Sequence, residues 1–252
     1  MDHQASGHLV VEAVITGEGA LWTDLSIQHL WNARHAAAQS RNREATLIAA
    51  GNHNIDHELR GLAMTAVVSA AGFVESFING IFLAISEPQP IQSVEGIAPG
   101  AVTAMKDLWN ATPPKRRLWS RWRRARPHPR FERAPVLDKY QAALDAVGKP
   151  QAMPKGDAIC QRVQTVVHLR HALLHFKPEW QGSARHHFQS RLNQLPSNPQ
   201  LTSGPWFPNQ LLSADCSEWC CTVCVAFVDA WSGHMGLTNP PDTGLTTGWP
   251  PP

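Results

Sequence analysis

The residues with the most chemistry to offer sit in one short stretch: His168, Arg170, His171 and His175. On a helix at about 100° per residue with Val163 at zero, Val166, Val167, Leu173 and Leu174 fall near 300°, 40°, 280° and 20°. That is an apolar stripe expected to be buried. Arg170 falls near 340°, inside the stripe. A buried guanidinium is costly unless paired and hydrogen-bonded, and Glu75, in the middle of the apolar segment 62–86, is its natural partner. Such a pair serves either as a tie between two helices or as part of a polar pocket where the arginine addresses a phosphate. His168, His171 and His175 fall near 140°, 80° and 120°, one flank beside the arginine. Imidazoles there suit proton transfer near neutrality, and their spacing of three and then four residues also suits a metal ion.

Positioning these groups takes helices. Residues 19–50 are rich in alanine, leucine and tryptophan with no internal glycine or proline. Gly51-Asn52 is a stop, and residues 53–86 read as a second long helix. It is apolar nearly all round over Ala63–Ala71, which marks a central helix of a bundle. The stretch Leu62–Ser86 also has the look of a membrane span, but a carboxylate such as Glu75 at mid-bilayer costs about 2.5–3.5 kcal/mol. A core helix is therefore expected, with no membrane partner. Residues 87–156 are punctuated by prolines and offer one short helical candidate, Val136–Val147. The helical pattern returns at Asp157, a good N-terminal residue, and ends near Phe176 because Pro178 disfavours a helical Lys177. Ser183–Leu195 and Ala214–Trp231 complete the helical segments.

The fold class read from this pattern is all-α, with a proline-rich basic insertion between the second and third long helices. Residues 1–86 form an N-terminal arm and the first two bundle helices, and 87–156 form the insertion. Residues 157–237 hold the motif helix and C-terminal bundle helices, and 238–252 are a disordered tail. Leu9–Ile15 fits an edge strand or a swapped arm.

Composition narrows the classes further. The chain has 252 residues, of which 17% are charged against a usual share of about 25%; this argues against a polyampholyte coiled coil and against wholesale disorder. Net charge is +2, yet residues 115–133 carry nine Lys or Arg and one Glu, a local +8. Within this tract Arg116, Arg117, Arg121, Arg123 and Arg124 alternate with Trp119 and Trp122, a pattern suited to single-stranded RNA: arginine for phosphates, aromatics for bases. A solvated linker or a contact for an acidic partner fits the same residues. The five cysteines, four of them within 216–224, do not form a disulfide framework and read as small buried residues, with a metal site as the alternative. His53-Asn54-Ile55-Asp56-His57 approaches a metalloprotease pattern but has Asp for Glu, so His53 and His57 are expected to mark an exposed first turn. No basic-then-apolar start appears at the N-terminus, which points to the cytoplasm.

Arg170-His171-Ala172-Leu173-Leu174-His175 is an R-x4-H element near a helix end, and Ser69–Asn79 is an alanine-rich helix with a central Glu and Asn. Together they resemble the signature of the HEPN domain, a helical bundle of many microbial ribonucleases and toxins. The resemblance covers residues 19–86 and 157–231. It implies metal-independent RNA cleavage, with no cofactor, in a homodimer whose two motifs face one cleft, in a toxin or defence component with an antitoxin or defence partner protein. His175 would act as general base or acid, Arg170 would stabilise charge on the phosphorane, and Glu75 and Asn79 would orient the arginine. His171 would fill a position often polar in the family. Arg170 and His175 lie about 140° apart on a straight helix, so the helix end must fray or the partner subunit must complete the site. Some family toxins carry a modifiable tyrosine two residues past the motif histidine; this chain has Lys177 there, and its only tyrosine is Tyr140. A non-catalytic bundle that binds RNA or protein through the same elements is the alternative.

Overall fold

Asp56 starts the longest helix: its side chain accepts the Leu59 N–H at 2.8 Å, the arrangement that satisfies an orphan donor of a first turn. The computed structural model describes residues 24–87, 94–110, 131–175, 192, 195 and 197–238. Six α-helices appear among them, with no strand: α1 (Ser26–Ala49), α2 (His57–Ser86), α3 (Pro99–Asn110), α4 (Val136–Ala146), α5 (Ala158–Leu174) and α6 (Ala214–Met235). The fold is all-α, as the pattern implies.

Helix α2 is the hub, with each of the other five packed against it. Its composition allows this. Val67, Phe73, Val74, Phe77, Ile78, Ile81 and Phe82 are all buried, while Ala63, Ala66, Ala70 and Gly72 let α1 approach closely. A Cβ on Gly72 would stand 3.1 Å from the His29 ring. By length and composition α2 could cross a membrane; here its apolar surface is spent on the bundle. It begins at His57 rather than at 53 because Asp56 caps it. His57 is exposed in the first turn, and His53 lies before the helix with its Nδ1 3.0 Å from the Gln200 carbonyl.

Helix α3 lies within the proline-punctuated segment, where the sequence pattern offers only the helix at Val136–Val147. It opens at Pro99, where the missing N–H costs nothing, and it buries Ala101 and Met105. Segment 87–156 therefore also supplies core: Met105 from α3, Tyr140, Ala143 and Leu144 from α4, and Met153. Phe131 stands edge-on to Phe82, centroids 5.1 Å apart, and Trp109 stacks on Phe82 at 5.4 Å.

Helix α6 is closed at both ends. Ser213 Oγ accepts the Cys216 N–H at 3.0 Å, and Gly236 ends the helix at φ +77°. The Thr238 N–H then reaches the Glu95 carbonyl at 3.1 Å. Gly96, at φ +96°, lies so close that a Cβ there would meet the Gly236 carbonyl oxygen at 2.0 Å. Residues 9–15, most of 183–195 and all but the first residue of the 238–252 tail lie outside the described residues.

Candidate functional site

One turn and a half of α2, Val74–Asn79, collects polar contacts from two other helices. From α4, Tyr140 donates its hydroxyl to the Val74 carbonyl at 2.8 Å, and Lys139 donates its ammonium to Asn79 Oδ1 at 2.7 Å and to the Glu132 carbonyl at 2.5 Å. From α5, Arg170 stands 3.8 Å from Glu75 Oε2. Glu75 and Asn79 are four residues apart, hence on one face of α2, and each meets a different cation.

The Arg170–Glu75 partnership therefore exists, but not in the core. The side chains retain 32% and 46% of their exposure, which corrects the expectation of a buried arginine. The reason lies in α5 itself. Its buried apolar residues Cys160, Val163, Val166, Leu169 and Ala172 recur every third position. A three-residue step covers about 300°, so the buried face drifts backward along the helix. By its end that face has moved to Leu169 and Ala172, leaving Arg170 on the flank and Leu174 exposed.

Asn79 also departs from expectation. It engages Lys139, not the arginine. Lys139 is a polar centre that the motifs do not mark: it is 1% exposed, and burial pulls its pKa below the usual lysine value while Glu75 and Glu132 pull the other way. A signal for it is present in the sequence. Lys139 stands where α4's apolar spacing of Val136, Tyr140, Ala143 and Leu144 leaves room for a hydrophobe.

His171 and His175 are exposed and face each other, ring centroids 5.6 Å apart and planes 30° from parallel. His168 is half-buried. The helix ends at Leu174, and His175 leaves helical geometry at φ −116°, ψ 28° while its N–H still caps the His171 carbonyl at 2.9 Å. No group of three or more His, Cys, Asp or Glu side chains could hold a metal ion among the described residues, which goes against both the three-histidine site and the cysteine site. Cys160, Cys216, Cys220, Cys221 and Cys224 are free and buried, as small packing residues should be, and burial pushes the Cys221 thiol up to about 12.

Arg116, Arg117, Trp119, Arg121, Trp122, Arg123 and Arg124, expected from the sequence to contact RNA, lie outside the described residues; the nearest described positions on either side are Asn110 and Phe131. No protein-family model, no curated protein and no solved structure matches this chain.

Proposed function

We propose that the protein is a HEPN-like endoribonuclease that cleaves RNA by 2′-hydroxyl attack, leaving 2′,3′-cyclic phosphate and 5′-hydroxyl ends. What carries the reading is the R-x4-H element on an exposed helix end, its arginine held by a carboxylate from the hub helix. Arg170 meets the phosphate and stabilises the charge that develops on the phosphorane. His175, at the C-cap, exchanges protons with the 2′-hydroxyl and the leaving 5′-oxygen. Glu75 holds Arg170 by charge at a distance long enough for a phosphate to compete. The reaction needs no metal, and two copies of the chain bring their motifs to one cleft, in a cytoplasmic toxin or defence component.

The partial exposure of the Arg170–Glu75 pair also favours a second reading, a bundle that binds RNA or protein without cutting. The deciding experiment is RNA cleavage in EDTA by wild type, Arg170→Ala and His175→Ala, with product ends identified. The ribonuclease reading expects cyclic phosphate ends from wild type and a loss of at least about a hundredfold in each folded variant. RNA binding without cleavage by wild type would establish the second reading.

A further inference from the structure

His171 and His175 do more than frame the motif. They stand one turn apart on the same helix edge, both exposed, with ring centroids 5.6 Å apart. Imidazoles four residues apart can turn their nitrogens toward one point. The helix fixes the His171 backbone, and the His175 N–H, bonded to the His171 carbonyl at 2.9 Å, ties the C-cap to the same turn, which lowers the ordering that opposes binding. Nitrogen donors of this kind suit borderline transition ions such as Zn2+, which takes histidine nitrogen at about 2.0–2.1 Å, rather than Mg2+ or Ca2+, which take oxygen. Solvent exposure leaves the other coordination positions to water. The site also lies at the last turn of α5, where the unsatisfied carbonyls carry partial negative charge that favours a cation. Arg170, the nearby charge of the wrong sign, is faced by Glu75 at 3.8 Å.

We propose that His171 and His175 form a two-histidine site for Zn2+, whose occupancy withdraws His175 from RNA. The second clause rests on the ribonuclease reading; the first does not. The site differs from a resident metal centre in kind: two protein ligands give a weak, reversible site, filled when the free ion rises and empty when it falls. It would act as a brake on the motif.

The test begins without RNA. Calorimetric titration of the full chain with Zn2+ should show one saturable ion per chain, with affinity falling at least about tenfold in His171→Ala and in His175→Ala. His171→Asn and His175→Asn give the same comparison with a smaller change in shape. Variants with His186 and His187, or His53 and His57, replaced by alanine check two other close histidine pairs of the chain and should bind as wild type does. Unchanged affinity in the His171 and His175 variants, or loss in the His186/His187 or His53/His57 variant, overturns the site. The second stage adds RNA: Zn2+ should slow wild-type cleavage in step with occupancy, and EDTA should restore it. Binding that follows the two histidines while cleavage stays indifferent to Zn2+ overturns the brake and leaves the site. A wild type that binds Zn2+ but never cuts RNA would sink the ribonuclease reading and with it the brake, not the site.

Discussion

An ammonium group buried to 1% exposure must have its hydrogen bonds met, and Lys139 meets two of them with Asn79 and the Glu132 carbonyl. Removing one partner of a buried charge costs more than removing both, because the orphan keeps its desolvation penalty. Asn79→Leu should therefore destabilise by about 2–4 kcal/mol, more than Lys139→Met, and the double variant should recover at least about 1 kcal/mol of the sum. Urea denaturation of the four proteins measures this cycle; strict additivity would show that the two side chains are not coupled. The pKa direction adds a second observable. Because Lys139 is depressed in the fold, the unfolded chain binds more protons between that lowered value and the ordinary lysine value of 10.5. Wild-type stability should thus gain, relative to Lys139→Met, as pH rises through that window. In the sequence Lys139 is legible only as an anomaly, a lysine in an apolar slot. Asn79 stands out as a polar group on an apolar helix, yet nothing in the sequence pairs it with Lys139, since spacing shows which helix face a residue occupies and not which neighbour arrives there.

Helix by helix, the sequence carries the long segments well and their faces less well. α2 and α6 announce themselves through continuous apolar runs and clear caps. α3 is hidden by the prolines around it, although Pro99 with Ala101, Met105 and Trp109 behind it is a helix start followed by helical spacing. The face of α5 eludes a single stripe drawn from Val163, because its buried apolar positions repeat every three residues and the stripe loses the true face before Arg170. The same level holds a tie that no motif marks, where α1 meets the start of α6. Glu44, 2% exposed, accepts the Ala214 N–H at 3.1 Å, and Arg41 gathers Glu44, Asp215 and Glu218. Burial raises the Glu44 pKa above 4.5 despite the N–H and the arginine. The ionised form is thus penalised in the fold, a penalty absent below the unfolded value and growing as pH rises through the folded one. Glu44→Gln keeps an acceptor for Ala214 and removes the charge, so it should equal or exceed wild type at pH 7, with the difference fading toward about pH 4. Glu44→Ala should lose about 1–3 kcal/mol. Denaturation of the three proteins across this range checks both directions.

For the whole chain, the decisive asymmetry is electrostatic: a tract of +8 within a molecule of +2 leaves the remainder at −6. A bundle of that sign repels RNA over its own surface, so an RNA-directed protein of this composition depends on the tract to bring substrate to the Arg170–His175 end of α5. The fold limits how this can be tested. Deleting 115–133 would remove Phe131, which packs on Phe82 and Trp109, and Glu132, whose carbonyl receives Lys139; weaker binding would then be confounded with a damaged core. Replacing Arg116, Arg117, Arg121, Arg123 and Arg124 by glutamine leaves those interactions alone. With five cations gone, the slope of log affinity against log salt for single-stranded RNA should fall by up to about 3–4, at roughly 0.7 for each phosphate that is no longer neutralised. Thermal stability should stay that of wild type. Binding measured from low to moderate salt reads the slope directly. An unchanged slope would mean that the tract touches no phosphate and that whatever reaches Arg170 arrives without it. A reduced slope with unchanged cleavage at saturating RNA would assign the tract to capture and α5 to chemistry.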